Sequence, residues 1–286
     1  MAVYKRGYQR YQGPYTPHWK RVLAFPRFAW RRLMEQRLVA IVMVASLFWP
    51  LLCAGFIYLS NHSELWQGLG RGVAGMLEIN SKFFSVFMYP QAVFALILAA
   101  LAGPGLVAPD LTNNALPLYF SRPLSRFDYV LARLLVLFGM LSLVTWVPGL
   151  LLFAMQAGMA GSGWLGANWR LGIGLMAAMG IWILLLSLVA LASSAYVRWR
   201  VFAGALVLAL FFVPAGVAGI INAVLRVSWG SVLNPGRNIS RIWYAIAGTD
   251  TPPGPGLLES SLALVVMAAL LCWILERKLR PVEVVS

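Results

Sequence analysis

Apolar residues run through this chain in six long blocks, roughly Leu38–Leu59, Phe83–Ala108, Leu131–Gln156, Leu171–Ser194, Val201–Val224 and Leu257–Leu275. An α-helix rises about 1.5 Å per residue, so about 20 apolar residues cross a hydrocarbon core of about 30 Å. All six blocks reach that length or come close to it. The pattern predicts an all-α, polytopic membrane protein with six transmembrane helices. The fourth and fifth blocks are joined only by Ala195–Arg200, which makes them an antiparallel hairpin. Composition agrees: 60% of the 286 residues are hydrophobic and 11% charged, whereas soluble domains run nearer one quarter charged. A soluble fold of this length cannot hide so much apolar surface.

The segments around the blocks differ in character. Residues 1–37 are basic. Within Met1–Thr16, Tyr4, Tyr8, Tyr11 and Tyr15 recur at helical spacing, but Gly7, Gly13 and Pro14 favour an extended arm. From Pro17 to Gln36, Val22, Pro26, Ala29 and Leu33 fall on one stripe, and Arg27, Arg31 and Glu35 fall opposite. This predicts a short amphipathic helix in the membrane interface, preceding the first span. Pro26 suits its first turn better than its middle. A basic juxtamembrane stretch that only fixes orientation is the alternative. The apolar run that follows is too long for a cleavable signal, so the first span is expected to persist. Between the last two spans, residues 225–256 contain Trp229, Trp243 and Tyr244 and end in a Pro/Gly-rich stretch. They form either a segment that re-enters the membrane from outside or an ordinary surface loop.

Charge sets the expected orientation. The N-terminal segment, the 108–130 connection through Arg133, the 195–200 link and the 276–286 tail hold seventeen Lys and Arg, and the opposite connections hold six. Cytoplasmic loops carry the excess, so both termini are expected in the cytoplasm and the chain in a plasma membrane, the inner membrane of a bacterium. The net charge of +14 is then explained by topology and by contact with anionic lipid heads. No nucleic-acid-binding module accompanies the basic residues, so nucleic acid is not an expected partner.

The spans lack the groups of several function classes. Nothing ionisable lies near a bilayer midplane, which argues against an ion-coupled carrier. His18 and His62 lie apart and outside the spans, Cys53 and Cys272 sit in apolar runs, and no metal-ligand spacing occurs. There is no Gly-x-Ser-x-Gly elbow and no phosphate loop. The chain is therefore not expected to be an enzyme or to hold a cofactor or metal. If ATP drives it, another subunit supplies the ATPase. Pro148 and Pro214 are candidate hinges. The glycines of the spans, among them Gly172, Gly174, Gly180, Gly216 and Gly219, predict close helix packing. Trp49, Trp146 and Trp182 lie too deep for an interfacial belt and are expected inside the bundle, with a cleft-lining role as the alternative.

The connection 108–130 carries the most information. Asp110 is placed to cap a short helix running toward Tyr119, with Leu111, Ala115 and Leu118 on one face, though Pro117 would strain it. Ser121, Arg122, Pro123, Leu124, Ser125 and Arg126 then lead into the third span. Apolar residues beside arginines form a docking surface.

This run, followed by Tyr129 and Arg133, resembles the Pro-Leu-Ser-Arg signature of ABC-2-type permeases, the membrane subunits of ATP-binding-cassette exporters. Asp110, Leu118, Ser121, Pro123, Ser125 and Arg126 match the family positions. Thr112-Asn113-Asn114 stands where the family often has Gly-Thr, and Arg133 where it often has Lys. The layout of interfacial helix, six spans and a long outer segment before the last is also similar. The resemblance implies a permease paired with a second copy or a related permease, above two ATP-binding subunits. The short helix after Asp110 would rest in a groove on the ATPase. The Tyr196–Arg200 link, with Arg198, would be a second contact. ATP-driven closure would then move the bundle. The alternative is a membrane scaffold or assembly factor on the same fold, without transport.

Overall fold

The computed structural model describes residues 18–62, 78–113, 125–197, 199–249 and 253–278. Helix α1 (His18–Met34) leads to α2 (Arg37–Asn61), the first span. The second span is α3 (Ser81–Ala102) continued by α4 (Pro104–Thr112), and the third is α5 (Arg126–Val144) continued by α6 (Trp146–Ala160). Then come α7 (Ser162–Tyr196), α8 (Arg200–Leu225), a 3₁₀ turn (Trp229–Leu233), α9 (Pro235–Ala247) and α10 (Leu257–Lys278). Among the described residues six helices, counting the two broken ones once each, are long and apolar enough to cross a membrane. Among the described residues there is no strand. The protein is an all-α polytopic membrane protein.

The helices outrun the apolar blocks. Polar Asn168 and Arg170 lower the hydropathy ahead of the fourth block, but hydrogen bonding carries the helix back to Ser162. Only Gly161, at φ 83°, separates α6 from α7, in a conformation that glycine adopts without a Cβ clash. At 35 residues, α7 is about 50 Å long, well beyond the hydrocarbon thickness. It is also the centre of the bundle. Of its most apolar stretch 72% is buried, against 17% for α2 and for α10. Those two expose Leu47, Leu51, Leu262 and Val265 along faces suited to lipid.

Two spans are broken, and proline accounts for both breaks. Pro148 has no N–H for the Val144 carbonyl, and its ring crowds that carbonyl. The third span accordingly breaks one residue later, at Thr145 (φ −104°, ψ −95°). Pro148 itself is buried in the first turn of α6. Pro104 does the same to the Ala100 carbonyl, and α4 starts at Pro104. Pro214, the other candidate hinge, leaves α8 uninterrupted from Arg200 to Leu225. Pro26 lies in the middle of α1, not in its first turn. Exposed Arg27, Arg31 and Glu35 and buried Leu33 give α1 two faces.

α1 docks on α5 through Trp30. The indole Nε1 donates to the Val136 carbonyl at 2.8 Å, and the ring lies where a Cβ on Gly139 would come within 2.9 Å of it. Trp182 donates to the Ala92 carbonyl at 3.1 Å, Trp146 donates to Ser142 Oγ at 2.9 Å, and Trp49 is partly buried.

The expected role of the span glycines holds only in part. Gly172 faces Phe153 and Gly174 faces Trp243 at contact distance, but Gly180, Gly216 and Gly219 have nothing within 4 Å of a Cβ position. The tightest approaches are elsewhere: a Cβ on Gly103 would stand 2.5 Å from the Ala190 Cβ, and one on Gly204 would stand 2.6 Å from the Ala100 carbonyl oxygen. The Gly204 neighbour is backbone and cannot rotate away. Gly204→Ala is expected to cost about 1–3 kcal/mol through forced separation of α3 and α8. Gly219→Ala is expected to be neutral or to stabilise by up to about 1 kcal/mol, through helix propensity. Denaturation of the two variants in mixed micelles compares them directly.

Candidate coupling site

The site is built where the second span ends and the third begins. Its start is set by Ser125, the N-cap of α5. Ser125 Oγ accepts from the Asp128 amide at 3.1 Å, and Asp128 Oδ2 accepts from the Ser125 amide at 2.8 Å. This reciprocal capping box fixes where the helix begins. Asp128 is buried while doing so. Counting from that start, Tyr129 and Arg133 are four residues apart and share one face of α5.

That face meets Asp110. The Asp110 carboxylate accepts from the Tyr129 hydroxyl at 2.7 Å and forms an ion pair with the Arg133 guanidinium through the same oxygen, Oδ2. The guanidinium also lies over the Tyr129 ring, 5.3 Å from its centre. The side chains of Arg133 and Asp110 are only 8% and 15% exposed, so the charges are largely withdrawn from water. Asp110 is therefore not the N-cap of a following helix. It lies in the last turn of α4, where the helix dipole disfavours a carboxylate. The nearby Arg133 offsets that cost.

α4 is secured from the other side by α7. The hydroxyl of Ser194 accepts from the amides of Val107 (3.3 Å) and Ala108 (2.9 Å) and donates to the Pro104 carbonyl at 3.1 Å. It thus serves polar groups of the first turns of α4, next to the break at Gly103. Arg200, at the start of α8, donates to the Leu101 carbonyl at 3.3 Å and to the Gln36 side chain between α1 and α2. A cleft of about 520 Å³ opens between α1, α4, α5 and α8, bordered by Arg32, Gln36, Asp110, Arg133 and Arg200. α5, α7 and α8 thus meet at α4.

Of the site residues expected from sequence, Asp110 and Ser125 lie here, Leu111 is part of α4, and Arg126 opens α5. Ala115, Leu118, Ser121, Arg122, Pro123 and Arg198 lie outside the described residues, as do the arm Met1–Thr16 and the end of the tail. Pro148 and Pro214 lie in α6 and α8. The sequence offers Tyr129 and Arg133 only as motif neighbours and Arg200 only as the end of the Tyr196–Arg200 link, and it gives no part to Gln36 or Ser194. The four-residue spacing of Tyr129 and Arg133 was the available signal. Nothing in the sequence announced Ser194, whose role depends on a distant helix break.

Among the described residues no cluster of three His, Cys, Asp or Glu side chains could hold a metal ion. The fold defines the class, a six-span helical membrane protein. No protein-family model matches the chain, and no curated protein matches it.

Proposed function

We propose that this chain is the permease subunit of an ATP-driven exporter of the ABC-2 type, coupled to a separate ATP-binding subunit through the connection that follows α4. The observation that carries the reading is the buried Asp110–Arg133–Tyr129 cluster. It binds the end of α4, where the connection begins, to the start of the third span, while Ser194 ties α4 to the central helix. A partner that grips residues 114–124 would pull on both spans at once, not on a free loop. In this reading two permeases pair above two ATPases. The basic end of the bundle faces the cytoplasm of a bacterial cell, with both termini inside.

Cysteine labelling tests the orientation, in a background with Cys53 and Cys272 replaced. A membrane-impermeant maleimide applied to intact cells is expected to label His62→Cys and Ser162→Cys, and to reach Ser125→Cys only after the membrane is opened. Labelling of Ser125→Cys from outside would reverse the topology and remove the ATPase from reach. The coupling role is tested by Asp110→Lys in the assembled complex. ATP hydrolysis is expected to persist at the ATPase's own basal rate but to lose its response to the permease. Wild-type stimulation in that variant would reject the role.

A further inference from the structure

The other end of the bundle holds a second cavity, far from the coupling site. A chamber of about 300 Å³ lies between α3, α7 and α9. This is the lower end of the size range of small-molecule sites. α9 forms its outer wall because Trp243 Nε1 donates to Ser85 Oγ at 2.7 Å, next to the first turn of α3. Inward from there the walls are apolar, with Met88, Ala92, Ala178 and Met179. Trp182 closes the inner end, bonded to the Ala92 carbonyl and set edge-on to Phe211 at 5.0 Å. Ala92 lies eleven residues along α3 from Ser81, which puts the inner end about 16 Å below the start of that helix, near mid-membrane.

The chamber's mouth has the opposite chemistry. Tyr89, Arg237, Ser240 and Tyr244 line both it and an adjoining cavity of about 100 Å³ that Arg241 also borders. Arg237 and Arg241 are four residues apart on α9 and so share a face. Among the described residues no carboxylate lies within ion-pair distance of either. Among the described residues the Arg237 guanidinium donates to Ser231 Oγ, at 3.3 Å. Two like charges at this spacing repel each other slightly, and among the described residues no acidic side chain pairs with either. A polar, cationic mouth above an apolar chamber fits a molecule with the same two halves.

We propose that this chamber binds an anionic amphiphile, its acidic head on Arg237 and Arg241 and its chain between α3 and α7 toward Trp182. Arginine suits phosphate or carboxylate heads because its planar fork donates two parallel hydrogen bonds. That such a molecule is the exported cargo rests on the permease reading. The site itself does not, since binding needs no ATPase.

The test uses the full chain in nanodiscs of zwitterionic phosphatidylcholine and measures binding of dodecyl phosphate by calorimetry. Saturable binding is expected. Arg237→Gln/Arg241→Gln should weaken it at least ten-fold, and Arg237→Lys, which keeps the charge but not the fork, should retain only part of it. Ala178→Phe, which fills the chamber, should weaken it by a similar factor, with the melting temperature reported beside it. Dodecyltrimethylammonium should not compete. Inorganic phosphate should compete at least a hundred-fold less well than dodecyl phosphate, which separates a lipid-like ligand from a free anion. Equal competition by inorganic phosphate, or unchanged affinity in the double arginine variant, would overturn the proposal. Either result leaves the coupling experiment at the other end untouched, and failure of that experiment leaves this binding measurable.

Discussion

Asp110→Ala is expected to destabilise the folded protein by about 3–5 kcal/mol, because it removes a carboxylate ion-paired with a buried guanidinium. Arg133 is 8% exposed on its side chain and arginine does not deprotonate, so the charge stays largely withdrawn from water in the variant. The reverse truncation, Arg133→Met, should cost less. It leaves a carboxylate to which the Tyr129 hydroxyl still donates. The double variant, Asp110→Ala with Arg133→Met, should recover much of the loss, since removing both partners of a buried pair is often close to neutral. The expected signature is therefore a ranking, with Asp110→Ala worst and the double variant better than that single change. Unfolding in mixed micelles, followed by far-UV circular dichroism, reads it. Additive costs in the double variant would mean that the two charges do not act as a pair.

Trp243→Ala carries the second large effect. Trp243 is 1% exposed, and its ring packs over Gly174, where a Cβ would sit 3.2 Å from the ring. Truncating a buried tryptophan typically costs about 3–5 kcal/mol, part of it from the cavity left behind. The effect should be local before it is global. α9 has a strongly two-faced sequence, with buried Asn238, Ile239 and Trp243 toward the bundle and exposed Ala245 away from it. Without its central anchor α9 should lift from α7, and amide exchange should rise across Pro235–Ala247 while α4 and α5 stay protected. Trp243→Phe keeps most of the packing and loses the bond to Ser85, so a loss of about 1–2 kcal/mol is expected. Unchanged exchange in α9 of Trp243→Ala would show that the 3₁₀ turn and α10 hold that helix unaided.

Hydropathy made the six spans legible because water exclusion acts on whole blocks of residues and leaves a strong, additive trace. Helix ends left a weaker one. The start of α7 lies nine residues ahead of its apolar block because backbone hydrogen bonding continues where hydropathy falls. The break at Thr145 followed from Pro148, but Pro104 went unremarked in sequence, and Pro214 interrupts nothing. A proline's effect depends on what receives the freed carbonyl, which is tertiary information. In the site, Asp110 stood out as a lone carboxylate at the end of an apolar block. Its partners did not, since a pair nineteen or twenty-three residues apart leaves no periodic mark. Ser194 is farther still, 86 residues from Ala108. The chamber behind α9 was equally hidden. Sequence supplied its aromatic residues but not the fold-back that turns an outer segment into a wall.

α7 touches both sites, through Ser194 at one end and Trp182 twelve residues away, about 18 Å along its axis. The proposed function requires that something outside the chain moves it. The most direct measurement is therefore purification of the tagged protein from its native membrane in mild detergent, followed by identification of the bound chains and an assay of ATP hydrolysis. The expected result is a stoichiometric soluble subunit with a phosphate loop, whose hydrolysis is altered by Asp110→Lys in the permease. A chain that purifies alone and binds no ATPase when the neighbouring genes are co-expressed would contradict it.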